Sequence, residues 1–191
     1  MLRFNLWWVM MITGLLPFCG LVLKIALDNL GANPVQAVHY YLGLWSIRFL
    51  CLSLAVSPLR KITSWKWPLT YRRMIGLFTF FYTSLHVFSY LVLDHALVWQ
   101  NIAQDMLESP YIFMGLCAYM IILPMAITST KAWQKRLGSN WKKLHRFVYL
   151  AGVTAVIHYF WQLKGNLAEP LLYSLIVALL LGFRLVMRYK K

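Results

Sequence analysis

Leu144–Trp161 reads LHRFVYLAGVTAVIHYFW, a largely apolar run that carries His145 and His158 thirteen residues apart and begins beside Lys142, Lys143 and Arg146. A segment this apolar belongs inside a bilayer or a protein core. In either place an imidazole is costly unless it has a partner or a task.

The rest of the chain points to the bilayer. Of its 191 residues 61% are hydrophobic and 13% charged, with a mean hydropathy of +0.62, which argues against a soluble domain with a polar surface. Apolar runs near the roughly 20 residues that cross about 30 Å of hydrocarbon lie approximately at 5–27, 38–57, 74–94, 110–129, 147–163 and 170–188. The first follows Arg3, but its apolar stretch is too long for a secretory signal and lacks a small-residue cleavage site, so it reads as a retained helix. The expected fold is an all-α integral membrane protein, a six-transmembrane-helix bundle forming a single domain over residues 1–191.

Charge sets the orientation. The segment 58–73 holds Arg60, Lys61, Lys66, Arg72 and Arg73; the segment 130–146 holds Lys131, Lys135, Arg136, Lys142, Lys143 and Arg146; the tail adds Arg184, Arg188, Lys190 and Lys191. The acids Asp28, Asp94, Asp105, Glu108 and Glu169 fall in or beside the alternate loops. By the positive-inside rule both termini are then cytoplasmic, and the net charge of +14 follows from topology. Nucleic acid is not an expected partner, because the basic residues sit in short juxtamembrane loops without a nucleic-acid-binding motif. Cys19, Cys51 and Cys117 are isolated, with no CxxC spacing, which suggests neither a disulfide framework nor an iron–sulfur or zinc site. No internal repeat is visible.

Depth sorts the histidines. The third and fifth runs cross in the same direction; His86 follows Arg73 by 13 residues and His158 follows Arg146 by 12. At about 1.5 Å per residue both imidazoles stand roughly 18–20 Å above the cytoplasmic edge. Two neutral imidazoles at one depth on parallel helices are what a bis-histidine haem requires, one nitrogen reaching the iron from each side. The plainer alternative is that each hydrogen-bonds to a neighbouring helix. His145 lies at the cytoplasmic end of the fifth run and is a candidate ligand for a second, inner haem, but the third run offers Arg72 and Arg73 where its partner would stand. On a regular helix His145 also points about 140° away from His158. Arg72 and Arg73 are candidates for a haem propionate or a flavin phosphate, or are interfacial charges meeting anionic lipid. Arg48, mid-span and with no acid inside any span, is a further candidate for a propionate. His39 and His95, at the outer ends of the second and third runs, read as interfacial.

Three stretches, HYYLGLWSIRFLCLSLAVSPLRK from His39, YRRMIGLFTFFYTSLHVFSY from Tyr71 and WKKLHRFVYLAGVTAVIHYFW from Trp141, resemble the ferric-reductase-like transmembrane family. Within it they are most similar to the haem-binding membrane subunits of bacterial periplasmic methionine-sulfoxide reductase systems. The resemblance implies haem b at His86 and His158, with His145 as the inner candidate and FMN at the basic inner face. It further implies a place in the bacterial inner membrane and electrons from the quinol pool or a soluble flavin reductase. Their acceptor would be a periplasmic molybdopterin-containing subunit that repairs methionine sulfoxide in envelope proteins. Larger relatives carry flavin and nicotinamide domains, whereas no Gly-rich dinucleotide fingerprint occurs here, so electrons are expected from another protein or from quinol. The chain is thus expected to be an electron-transfer subunit rather than a complete enzyme, with no catalytic residue of its own. Two other classes use the same residues: a small transporter with a polar relay through His86, His158 and Arg48, and a membrane anchor or assembly factor without a redox cofactor.

Overall fold

The computed structural model describes residues 2–162 and 165–189, with side chains from 6 to 162 and from 165 to 187. Arg3, Arg188, Lys190 and Lys191, counted among the charges above, have side chains outside that range. Among the described residues the chain is helical with no strand: α1 (Leu2–Ala26), α2 (Pro34–Thr63), α3 (Trp67–Ser89), α4 (Trp99–Glu108), α5 (Pro110–Ile127), α6 (Lys131–Leu137), α7 (Ser139–Leu144), α8 (Val148–Gln162) and α9 (Ala168–Tyr189). Local chemistry sets these ends. Asn33 caps α2 by accepting the Gln36 N–H at 3.1 Å with Pro34 behind it, and Thr130 caps α6 through the Trp133 N–H. Pro residues likewise stand in the first turns of α3 and α5, where the missing N–H costs no helical bond.

Among the described residues five helices, α1, α2, α3 with its extension, α5 and α9, are long and apolar enough to cross a membrane. The sixth expected run, 147–163, forms α8, which at 15 residues is about 22 Å long and falls short of a full crossing by itself. Large apolar side chains cover the outside of the bundle, among them Val9, Ile12 and Leu16 on α1 and Leu171, Leu175 and Leu179 on α9. In water such a surface would aggregate; in lipid it is the solvated face.

The helices associate as two close pairs. α2 lies along α3 and α5 along α8; α3 meets α5, α9 packs on α2 and α8, and α1 leans on α3 and α2. One buried core lies between α1, α2 and α3, where Phe49 stacks on Tyr82 and Phe78 with ring centroids 5.2 Å apart in each case. Tyr82 is fully buried, and its hydroxyl enters the α1 ladder near Pro17: it donates to the Gly14 carbonyl at 2.7 Å and accepts the Phe18 N–H at 3.1 Å. In lipid no water would replace it. Tyr82→Phe therefore removes both bonds that the hydroxyl makes to the α1 backbone and is expected to cost about 1–3 kcal/mol. The check is the unfolding midpoint of the detergent-solubilised variant, which falls if the hydroxyl completes that ladder and stays at the wild-type value if it does not.

Candidate functional site

Two adjoining cavities lie between the helix pairs, sharing Leu50, Thr79 and Ile122 in their linings. The larger, about 1250 Å³, runs toward His39 and His95; the smaller, about 400 Å³, opens among the basic residues at the other end.

His86 of α3 and His158 of α8 meet in the larger cavity, ring centroids 6.1 Å apart and planes inclined by 74°. The two histidines that counting from Arg73 and Arg146 set at one level lie side by side. The two rings are held alike. His86 Nδ1 lies 3.1 Å from the His39 carbonyl oxygen on α2, and His158 Nδ1 lies 2.6 Å from the Tyr111 carbonyl oxygen on α5. A carbonyl can only accept, so each Nδ1 carries hydrogen and donates, and in the neutral ring each Nε2 keeps its lone pair. One turn beyond each carbonyl stands a glycine, Gly43 or Gly115, directly against the ring. The offset of 72 residues from His86 to His158 recurs from His39 to Tyr111 and from Gly43 to Gly115. The site is thus one construction made twice, a repetition of single positions that composition and motif do not display.

The end of the larger cavity near His39 and His95 is closed by α4, which the apolar runs did not indicate. It turns Ile102 inward and lines the cavity with Trp99, Ile102, Ala103 and Met106, while Leu107 is 86% exposed. A π-helical turn at Tyr90–Asp94 and positive φ at Ala96 and Leu97 carry the chain from α3 to this cap. His95 Nε2 and the Tyr90 hydroxyl both reach Asp105 Oδ2, at 3.1 and 2.9 Å. His39 Nδ1 lies 2.9 Å from Ser89 Oγ, and its Nε2 lies 2.9 Å from Asp94 Oδ2. The Tyr40 and Tyr159 hydroxyls converge on Glu169 of α9, tying α2, α8 and α9 together beside the cavity.

The smaller cavity gathers Arg72, Arg73, Lys142, His145 and Arg146, with no carboxylate in its lining. Trp141 stacks on the His145 ring at 4.0 Å and donates its indole N–H to the Thr128 carbonyl at 2.9 Å; His145 Nε2 lies 3.3 Å from Thr128 Oγ1. His145 and His158 line neighbouring cavities although a regular helix would turn them apart, because His145–Phe147 is a 3₁₀ turn and α8 begins only at Val148. Among the described residues no second histidine lines this cavity.

Arg48 lines neither cavity. Its Nε donates to the Tyr173 hydroxyl at 3.0 Å, its guanidinium lies 4.8 Å from the Trp45 ring centre, and it is within electrostatic range of Glu169. The acid that no span seemed to supply stands in the first turn of α9.

Long apolar helices around a histidine-lined cavity, with a basic cavity beside it, define a multi-pass membrane protein whose polar interior is reserved for a site. The chain belongs to the ferric-reductase-like transmembrane family: the model of that family, the ferric reductase like transmembrane component, matches residues 42–156. It is 45% identical over 157 residues, 82% of this chain and 72% of the relative, to the protein-methionine-sulfoxide reductase heme-binding subunit MsrQ of Xanthomonas euvesicatoria pv. vesicatoria. To the MsrQ subunit of Herminiimonas arsenicoxydans it is 39% identical over 186 residues, 96% of this chain and 85% of the relative. No solved structure matches the chain.

Proposed function

We propose that this chain is an electron-transferring membrane subunit of a protein-methionine-sulfoxide reductase system, with haem b held between His86 and His158. The observation that carries this is the pair of rings in the larger cavity, each with Nδ1–H spent on a backbone carbonyl and Nε2 left to bind. Metal-binding histidines are oriented by such a bond from the second nitrogen. The 6.1 Å between ring centres suits one metal between two imidazoles, since each nitrogen–metal bond takes about 2.0–2.1 Å by analogy with zinc. Among the described residues no group of three or more His, Cys, Asp or Glu could hold a metal alone. Two imidazoles with no third protein ligand suit an iron whose other positions are filled by a porphyrin, and the absence of CxxC spacing favours non-covalent haem of the b type. A haem there would supply one-electron redox chemistry; His86 and His158 would hold it in a largely apolar cavity.

The topology that goes with this proposal is six crossings in the bacterial inner membrane, α8 completing the fifth with the turn before it, and both termini in the cytoplasm. The smaller cavity, four cations and no carboxylate, fits an anionic group better than a second haem, which would lack a histidine opposite His145. We assign it to FMN, with Arg72 and Arg73 on the phosphate; bound FMN supplies a step between two-electron and one-electron chemistry. Quinol or a soluble flavin reductase is the electron source, and a periplasmic molybdopterin-containing methionine-sulfoxide reductase the acceptor. The test is a reduced-minus-oxidised spectrum of protein purified from haem-replete cells. A b-type spectrum at about one haem per chain is expected; colourless protein would move the reading to the transporter or the anchor.

A further inference from the structure

The two histidines are held by contacts that no side chain provides. At Gly115 a Cβ would stand 2.7 Å from His158 Nδ1, 2.9 Å from its Cε1 and 3.2 Å from its Cγ. At Gly43 it would stand 3.2 Å from His86 Cε1 and 3.4 Å from its Nδ1. In both cases the ring fills the space the missing side chain leaves and reaches past it to the carbonyl one turn earlier, Tyr111 or His39. Neither glycine has a positive φ, so backbone freedom does not explain them. The close approach of the ring does.

We propose that Gly115 and Gly43 are positioning residues for the two axial imidazoles: each opens the helix surface so that a ring can donate Nδ1–H to backbone and turn Nε2 into the cavity. This rests on the assignment of haem to His86 and His158. Because the acceptors are main-chain carbonyls, no change of side chain at His39 or Tyr111 removes them, whereas a side chain at the glycine presses on the ring that makes the bond. The two cradles are unequal. A methyl group at 115 falls inside the distance real Cβ atoms keep and must displace the ring, while one at 43 asks for a shift of only a few tenths of an ångström.

A graded result is expected. Gly115→Ala tilts His158 off its carbonyl, weakens it as a ligand and lowers haem affinity by about 10- to 100-fold, the range for disturbed outer-shell partners of metal ligands. Gly43→Ala keeps its haem but shifts the ferric low-spin signal and raises the midpoint potential, since an imidazole that loses a Nδ1–H bond is a poorer donor to ferric iron. Gly182→Ala, where no atom lies within 4 Å of the added carbon, is the control and should match wild type.

The experiment measures haem-to-protein ratio, low-temperature electron paramagnetic resonance and midpoint potential on the purified full chain for these three variants, His86→Ala and His158→Ala. If the histidine variants lose haem while Gly115→Ala and Gly43→Ala match wild type in all three readings, the positioning role is overturned and the haem assignment stands. If the histidine variants keep a wild-type spectrum, the assignment itself has failed. Should Gly115→Ala not fold, Gly43→Ala decides: a shifted signal and potential support the cradle, and wild-type values overturn it.

Discussion

Replacing His158 or His86 with alanine is expected to lower the haem retained per purified chain at least about tenfold, because each variant removes an axial ligand outright. The two losses should be similar in kind, since each ring is held by the same pair of elements, a carbonyl on the facing helix and a glycine one turn on. Neither variant should prevent insertion. The core of α1, α2 and α3 is built from Phe49, Phe78 and Tyr82, and Glu169 ties α2, α8 and α9 through tyrosines rather than through either histidine. The readings are pigment per protein and the position of the reduced α-band. His145→Ala is the informative companion: its ring lies in the smaller cavity, stacked on Trp141, and its loss should leave the haem ratio unchanged.

Joint substitution of Arg72 and Arg73 by alanine is expected to reduce FMN affinity by about 100-fold or more while leaving the haem of the larger cavity in place. Hydrogen bonds to a charged group are worth about 1.5–3 kcal/mol each, so two are sufficient for that factor. The arginines are otherwise poorly compensated. The lining of their cavity holds Lys142 and Arg146 and no carboxylate, and Arg184 adds a further positive charge within electrostatic range of Arg72. Removing them should therefore not destabilise the apoprotein. Fluorescence titration of FMN into the purified protein reads the affinity. An unchanged value in the double variant would return these residues to the role of interfacial charges meeting anionic lipid.

Much of this was legible from sequence because depth in a bilayer can be counted. Residues expected on one side of the membrane, Arg73 and Arg146, give a ruler at about 1.5 Å per residue, and it brings His86 and His158 to the same level. The same ruler located the basic and acidic ends. It could not find α4, an amphipathic helix of 10 residues that is too short and too polar to read as a span. The 100° phase rule does not carry through to His145, because it applies only to regular helix and residues 145–147 form a tighter turn. The partner of Arg48 was hidden for a different reason: Tyr173 and Glu169 lie more than a hundred residues away and meet it only when α9 packs on α2. The acceptors of both histidine bonds are main-chain carbonyls, which no residue type announces. The trace they leave is the 72-residue offset shared by two glycines and two histidines, visible only once the rings are seen against them.

The coordination of the iron is the most direct test. Low-temperature electron paramagnetic resonance on the oxidised purified protein should show a single low-spin, six-coordinate ferric species at about one per chain, absent in His86→Ala and in His158→Ala and intact in His145→Ala. A low-spin signal that survives both of the first two substitutions would contradict a haem held between α3 and α8.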